Sequence, residues 1–357
     1  MGLRSYIAKR IVYSFILLLL VLSLNYTIFM LMPGDPAAML IAPLIQKEPD
    51  PERAARLKQQ LNELWGIADP PLIRFTKYIK NMLTWNFGVT FRNRVPVADE
   101  MIKRIPFTLV LLGGSTTLAI IIGVILGALS AHKRGSKFDT FCVTSSLIFY
   151  SLPTFWMGLL FILIFYVQLG WFPNAHPYPA EWILPQNAPK PFTITTASYN
   201  PLGIVVNVDG GELLKLIVGY ARHAFLPVTV LTLFQYGGFL LLTRATMIEA
   251  LTEDYIVTAR AKGVSERDVI FKHALPNASL PIITSAALSY GFILSGAIIT
   301  EGVFSWPGLG GWIFDAIGFK DYNILQAVFY VIALCVIAAN FIADLLYGII
   351  DPRIKYD

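Results

Sequence analysis

Six long apolar runs divide the sequence and constrain its fold more than any other feature. Each run holds about 20 or more residues, the length that a helix needs to cross the roughly 30 Å hydrocarbon core of a bilayer. Backbone polar groups in lipid must hydrogen-bond within their own segment, so helices are the expected spanning structures. The runs therefore predict an all-α polytopic membrane protein with six transmembrane helices. They cover residues 11–32, 107–131, 140–169, 223–243, 281–300 and 324–347.

The composition supports lipid as the main solvent of this chain. Hydrophobic residues make up 55% of the sequence and charged residues 14%, whereas soluble domains carry about 25% charged residues. Too few charges remain to cover a soluble core, which excludes a soluble domain, a disordered chain, a disulfide scaffold and a nucleic-acid partner. Cys142 and Cys335 both lie in apolar stretches, and we expect them to be buried thiols.

The distribution of lysine and arginine predicts the orientation in the membrane. With the N-terminus inside, the cytoplasmic pieces hold 13 basic residues, whereas the outer loops 170–222 and 302–323 hold three and one. Segment 33–104 would lie outside with 11 basic residues, but long loops translocate largely regardless of charge. Six spans then leave both termini in the cytoplasm.

These spans divide the chain into three parts. Residues 1–32 form a cytoplasmic tail and the first transmembrane helix, and residues 33–104 form an extracytoplasmic helical segment. Residues 105–357 form a core of five transmembrane helices, which includes the outer loop 170–222 and a cytoplasmic inner loop, residues 244–280.

Two helices are predicted within segment 33–104. Asp50 is a candidate N-cap before Pro51 at the first helical position, and a second helix begins at Pro70-Pro71. Single apolar stripes favour packing on the other spans over attachment to the membrane surface. The stripe of the second helix consists of Leu72, Phe75, Ile79 and Met82.

The outer loop 170–222 is rich in proline, which excludes long helices from its first half. Its aromatic residues Tyr178, Trp182 and Tyr199 are candidate contacts for a ligand or a docked partner. Interfacial anchoring and packing are the favoured interpretation, since tyrosine and tryptophan are enriched at membrane interfaces.

No catalytic or metal-binding pattern occurs in the sequence. It has no G-x-x-x-x-G-K-[ST] phosphate loop, no H-E-x-x-H and no C-x-x-C, and its four histidines are scattered. An intramembrane enzyme is therefore disfavoured, and no catalytic residue is assigned. Asp344 is the only acidic residue within a predicted span, which argues against a proton-coupled transporter.

Uncharged polar residues occur on several predicted spans. Such residues commonly join transmembrane helices through hydrogen bonds, but a set of them can also line a hydrated path. The candidates for a translocation path are Ser115, Ser146, Tyr150, Gln235 and Ser289.

The inner loop is patterned too strongly for a plain connector. Residues 249–262 favour a helix that ends at Gly263, and Ser265 is a plausible N-cap for a second helix that runs toward Pro276. The loop is therefore predicted to form a short helix–turn–helix at the inner membrane face.

In this loop the sequence resembles the permease subunits of binding-protein-dependent ABC importers. Their signature is E-A-A, three residues, glycine, nine residues and I-x-L-P; Ala259, Gly263 and Leu275-Pro276 match it. Departures at the other positions are typical of the dipeptide/oligopeptide branch, and the motif after the first span resembles its B-type subunit. Further matching stretches are Pro33-Gly34-Asp35-Pro36, Phe304-Ser305-Trp306-Pro307-Gly308-Leu309-Gly310 and Asp351-Pro352-Arg353.

The resemblance implies a type I ABC importer permease in the cell membrane of a bacterium or archaeon. This chain would bind no cofactor, because ATP and Mg²⁺ would belong to two separate ATP-binding subunits. The other implied partners are a homologous C-type permease subunit, an extracytoplasmic solute-binding protein and membrane lipid.

The resemblance also assigns the residues that couple to the ATPase. Ala259 and Ala261 would permit close approach, while Arg260 and Lys262 would pair with acids on the ATPase. Gly263 would permit the sharp turn, and Pro276 would mark the entry to the fifth span. The full set is Tyr255, Ala259, Arg260, Ala261, Lys262, Gly263, Leu275 and Pro276.

The resemblance leaves two substrate classes open. Di- and oligopeptides are the leading expectation, but the same branch includes carriers of oligosaccharides, such as cello- and xylo-oligosaccharides. The aromatic-rich outer loop is compatible with either class.

Overall fold

The computed structural model describes residues 3–31, 52, 55–56, 69–173, 175–183, 187–190, 192–196 and 204–350. This part of the chain is predominantly helical, and π-helical or 3₁₀ segments extend several of the helices. The α-helices are α1 (Leu3–Leu31), α2 (Pro71–Leu83), α3 (Val97–Thr108), α4 (Gly114–His132), α5 (Lys137–Ser151), α6 (Thr154–Phe161), α7 (Gly210–Ala250), α8 (Asp254–Ala261), α9 (Glu266–Asp268), α10 (Leu275–Gly291), α11 (Ile298–Val303), α12 (Leu309–Phe319) and α13 (Tyr322–Ile350). The π-helical segments are Leu109–Gly113, Ile162–Gln168 and Val269–Ala274, and the 3₁₀ segments are Ala180–Ile183 and Ile293–Ser295.

Five helical stretches are long and apolar enough to cross a membrane, and a bent pair supplies a sixth. The bent pair, Lys137–Ser151 and Thr154–Gln168, turns by 98° around Pro153, where the sequence predicts a kink. Each of the six predicted runs overlaps one of these stretches, which confirms the polytopic helical architecture, although the run 281–300 extends past Ser295, where its stretch ends. The unbroken stretches are Ile7–Leu31, Val97–His132, Gly210–Ala250, Glu266–Ser295 and Tyr322–Ala343.

A short β-hairpin in the outer loop departs from the all-α expectation. Strands β1 (Phe192–Thr196) and β2 (Ile204–Val208) pair antiparallel, with Phe192 opposite Val208. Both strands are rich in β-branched residues, which favour extended structure. The loop has no long helix before Gly210 among its described residues, in agreement with its proline content.

The chain divides into two compact units that interleave along the sequence. Unit 1 comprises Met1–Pro106, Ile283–Gly296 and Leu309–Asp357, and unit 2 comprises Phe107–Ile282 and Ala297–Gly308.

Within unit 1, α1 packs on α13 and on α2. The Asn25 side-chain amide donates hydrogen bonds to the Tyr78 hydroxyl at 2.9 Å and to the Gln326 carbonyl at 3.2 Å. Helix α2 begins at Pro71, as predicted, and buries Tyr78 and Met82. The predicted helix at Pro51 and the side chain of Asp344 lie outside the described residues.

Within unit 2, α4 packs along α7 at very short distance. A Cβ atom built on Gly127 would lie 2.6 Å from the Leu240 carbonyl oxygen, and one built on Gly123 would lie 2.6 Å from the Phe239 Cβ. These glycines form a G-x-x-x-G motif, a known signal for close helix approach in membranes. Glycine at both positions lets the two backbones meet.

A buried carboxylate connects three helices of unit 2. Asp139 of α5 accepts hydrogen bonds from Arg244 of α7, at 2.6 Å from Nε and 2.7 Å from Nη2. Its oxygens also accept from the Ser130 hydroxyl of α4 and from the Gly135 backbone N–H. The cluster therefore holds the end of α4 and the start of α5 against α7 at Arg244, the first residue of the inner loop.

Candidate functional site

The inner loop folds as a short helix held between two long ones. Helix α7 continues through Arg244 to Ala250, and α8 begins at Asp254 after a turn. The single helix predicted over residues 249–262 is therefore interrupted. The N-cap of the new helix is Glu253, whose extended backbone conformation separates α8 from α7.

Helix α8 ends at Gly263, as predicted, through a Schellman motif. The Gly263 N–H donates to the Arg260 carbonyl at 2.9 Å, and the Val264 N–H donates to the Ala259 carbonyl at 3.2 Å. Gly263 has φ +77°, a left-handed conformation that glycine adopts without a Cβ clash. Ser265 then caps α9 by accepting from the Asp268 N–H, which confirms the second predicted cap.

A continuous apolar core lies beneath α8. Ile256 is fully buried and Ala259 is 6% exposed, and both pack with Met247 of α7 and with Ile270 of the following helix. The small side chain of Ala259 therefore serves packing within this chain, and its expected part in a close approach to an ATPase stays a prediction. This core fixes α8 to the end of α7 and to α4.

The opposite side of α8 is exposed. Val257 is 61% exposed and Tyr255 is 37% exposed, and Ala261 and Lys262 are exposed as well. Burial, together with the charge of Glu253, raises the pKa of Tyr255, so its phenol is neutral at physiological pH. The surface therefore combines apolar, aromatic and cationic groups.

Arg260 pairs with an acid of its own chain, and its expected pairing with an acid of the ATPase stays a prediction. Its Nε lies 2.9 Å from Glu266 Oε1, and its Nη2 lies 3.3 Å from Glu266 Oε2. This two-point ion pair crosses the turn at Gly263, so Arg260 stabilises the turn between α8 and α9.

The helix after the turn does not end at Pro276. Residues Glu266 to Ser295 form one continuous candidate span, in which Leu275 and Pro276 begin α10. The π-helical segment Val269–Ala274 immediately precedes them. A proline lacks the N–H for the regular helical bond, and a wider turn beside it accommodates that loss. The helix that carries Pro276 therefore begins earlier, at Glu266, and the expected entry to the membrane at Pro276 stays a prediction.

The predicted path residues are mostly engaged within the chain. Ser115 is fully buried, and the Gln235 amide donates to its hydroxyl at 3.3 Å. Ser146 is also fully buried, next to the position where Gly237 allows α7 to approach its backbone. Gln235 and Ser115 thus join two helices, whereas the Ser146 hydroxyl donates within its own helix to Val143. A translocation path along these residues stays a prediction.

The remaining two path candidates occupy different surroundings. Tyr150 is 61% exposed and stacks on Phe234 with ring centroids 5.5 Å apart. Ser289, in unit 1, donates to the Ser285 carbonyl of its own helix at 2.9 Å. Neither contact assigns a role in transport.

The aromatic residues of the outer loop contact one another. Tyr178 and Trp182 both make edge-on contacts with Tyr220, with centroids about 6 Å apart. This observation agrees with packing as the favoured interpretation, while Tyr199 lies outside the described residues. Within the described part of the chain, no group of three His, Cys, Asp or Glu residues is arranged to hold a metal.

Comparison with known proteins covers the chain from end to end. Residues 119–356 match the family of binding-protein-dependent transport system inner membrane components, and residues 3–112 match the N-terminal region of the same components. The Pseudomonas aeruginosa di/tripeptide transport system permease protein DppB is 35% identical over 352 residues, 99% of both chains. The Bacillus subtilis oligopeptide transport system permease protein AppB is 34% identical over 353 residues, 99% of both chains. The Escherichia coli K12 dipeptide transport system permease protein DppB is 35% identical over 336 residues, 93% of both chains.

The described helices and these matches agree on one class of protein. Five or six apolar spans are what a multi-pass transport component requires. Two of these relatives are named DppB, which agrees with the B-type subunit that the motif after the first span indicates. The chain belongs to the family of binding-protein-dependent transport system inner membrane components, which are multi-pass proteins of the cytoplasmic membrane with the type I ABC permease fold.

Proposed function

We propose that this chain is one of two permease subunits of an ATP-driven importer for di- and oligopeptides. Its end-to-end similarity to relatives that are named as dipeptide and oligopeptide permeases supports this substrate class. A C-type permease subunit, two ATP-binding subunits and an extracytoplasmic solute-binding protein complete the proposed importer.

The proposal that α8 couples to the ATPase rests on the exposed side of this helix. Val257 has 61% of its surface exposed, which is unusual for a valine on a short helix whose other side is anchored in a core. A rigid helix with an apolar exposed side fits into a groove of a partner. Because α8 is packed on the ends of α4 and α7, movement of the ATPase would be transmitted to the spans.

The corresponding test places a charge on this surface. Val257→Asp should lower the amount of ATPase subunit that co-purifies with the importer at least about tenfold, because an unpaired buried carboxylate costs more than about 1.4 kcal/mol. Uptake of a labelled tripeptide into proteoliposomes should fall in parallel. Val95→Asp is the matched control, since Val95 is 36% exposed on the turn before α3 and lies outside the proposed contact.

The two readouts separate the two parts of the proposal. Normal ATPase retention by Val257→Asp would contradict the assignment of α8. Uptake of cello-oligosaccharides by the unaltered importer, with no uptake of peptides, would contradict the substrate class and leave the coupling assignment intact.

A further inference from the structure

A groove of 610 Å³ lies where α4 meets the helix that follows α8. Its size falls within the range of sites that hold small molecules, roughly 300–1,000 Å³. The groove is lined by Ile125, Ser265, Arg267, Asp268, Phe271 and Lys272. The groove therefore places the apolar side chains of Ile125 and Phe271 beside the two cations Arg267 and Lys272.

The cationic side of the groove is open to solvent. Arg267 and Lys272 are both exposed, and Lys272 Nζ lies 2.9 Å from Asp268 Oδ1. One carboxylate against two cations leaves a net positive charge. Lys133 and Arg134, at the end of α4, are exposed as well, and they follow His132, whose ring lies 3.7 Å from Glu266. The end of α4 thus lies beside Glu266, the residue that precedes Arg267 of the groove.

The apolar side of the groove continues along α4. Leu118, Ile121 and Ile122 are 43%, 49% and 38% exposed, and Ile125 is 44% exposed. Their spacing of three and four residues places them on one face of the helix. Since α4 belongs to the candidate span Val97–His132, this stripe runs from the groove into the depth of the membrane.

We propose that this groove binds an anionic phospholipid of the cytoplasmic leaflet. The phosphate would receive hydrogen bonds and charge from Arg267 and Lys272, with the Ser265 hydroxyl as a further donor. One acyl chain would lie along the isoleucines of α4. Basic pockets beside transmembrane helices favour such head groups electrostatically.

A lipid fits both halves of the groove better than an acidic protein segment does. Acidic side chains would satisfy Arg267 and Lys272 but leave the isoleucine stripe without a partner. A phospholipid matches both features, because its head group is anionic and its acyl chains are apolar. Because Ser265 and Lys272 belong to the segment that supports α8, the bound lipid would connect the spans to this segment.

Native mass spectrometry of the full-length chain tests the proposal with two probes, phosphatidylglycerol and phosphatidylcholine. Replacing Arg267 and Lys272 together by glutamine should weaken binding of phosphatidylglycerol about 10- to 30-fold, since each cation near the membrane surface contributes about 1 kcal/mol. Binding of phosphatidylcholine should change less than twofold. Thermal unfolding in detergent micelles verifies that the variants are folded.

The matched control removes the same charges elsewhere. Lys215 pairs with Glu212 at 2.8 Å, as Lys272 pairs with Asp268, and Arg222 is exposed like Arg267. The control Lys215→Gln with Arg222→Gln should leave binding of phosphatidylglycerol unchanged. An equal loss in this control would show a general charge effect and overturn the proposal.

A second variant tests the apolar track independently of the cations. Ile125→Asn should weaken phosphatidylglycerol binding several-fold but leave binding of glycerol phosphate unchanged, which separates a lipid from a free phosphate. Unchanged phosphatidylglycerol binding in both Ile125→Asn and the glutamine pair would overturn the proposal. Loss of ATPase retention by the glutamine pair, with lipid binding intact, would assign the groove to a protein interface instead.

Discussion

Asp139 is a single buried polar residue that connects several elements of the chain. Only 5% of its side chain is exposed, against 26% for its partner Arg244. A buried carboxylate is tolerated where cationic and neutral donors together satisfy its oxygens. Arg244, Ser130 and the Gly135 N–H supply such donors from separate elements. The pair therefore holds the start of α5 against α4 and α7.

Asp139→Asn is expected to lower the free energy of unfolding by about 3 kcal/mol, because it leaves the Arg244 guanidinium without its buried counter-charge. Titration with a denaturing detergent measures the change. Glu212→Gln is the matched control: the Glu212–Lys215 pair is largely exposed, at 33% and 70% of the side chains, and should cost less than about 1 kcal/mol. Equal losses in both variants would refute a special role for Asp139.

At the scale of elements, the contact between α4 and α7 depends on glycine. The two helices offer a comparison, because a Cβ on Gly127 of α4 would meet the backbone of α7, whereas one on Gly238, an exposed position of α7, would meet nothing within 4 Å. Helix interfaces in membranes rely on such small residues because lipid supplies little hydrophobic drive for association.

Gly127→Leu should therefore separate the two helices and lower the free energy of unfolding by about 3 kcal/mol, the upper end for overpacking. Gly238→Leu should be neutral or slightly stabilising, because leucine has the higher helix propensity. Detergent denaturation of the two variants compares them directly. A Gly127→Leu protein as stable as the Gly238→Leu protein would contradict the close contact.

The elements that the sequence predicted best are those with strong local signals. Apolar length identified the spans, proline identified the break at Pro153 and the start of α2, and Gly263 with Ser265 identified the turn after α8. Contacts between distant residues carry no such signal. The roles of Arg260 and Ala259 followed from tertiary packing, which the pattern of residues around them did not reveal. By contrast, the G-x-x-x-G motif at Gly123 and Gly127 is a local signal in the sequence for one such contact, because it indicates close helix approach.

At the scale of the whole molecule, the bend of 98° between α5 and α6 decides the topology. Each half of this bent pair contains 15 residues, about 22 Å of helix, which is less than the roughly 30 Å of the hydrocarbon core. If the pair crosses the membrane once, four crossings precede α8 and place it on the same side as the N-terminus. If the pair re-enters on its original side, only three crossings precede α8 and place it on the opposite side.

The basic residues favour the single crossing. The connection between α4 and α5 carries Lys133 and Arg134, and the region of α8 carries Arg260 and Lys262. Residues 169–209 between α6 and α7 hold one basic residue, Lys190. Lysine and arginine accumulate on the cytoplasmic side, so the first two regions belong inside and the third outside.

Cysteine labelling with a membrane-impermeant maleimide distinguishes the two topologies. In a background with Cys142→Ala and Cys335→Ala, we expect Lys190→Cys to react in intact cells, because its loop lies outside after a single crossing. Arg134→Cys and Thr252→Cys should react only after the membrane is permeabilised. A re-entrant pair would reverse two of the three results: Thr252→Cys would react in intact cells, and Lys190→Cys would be protected. Arg134→Cys is protected in both topologies and serves as the internal reference for membrane integrity. The reversed pattern would place α8 where no cytoplasmic ATPase can reach it.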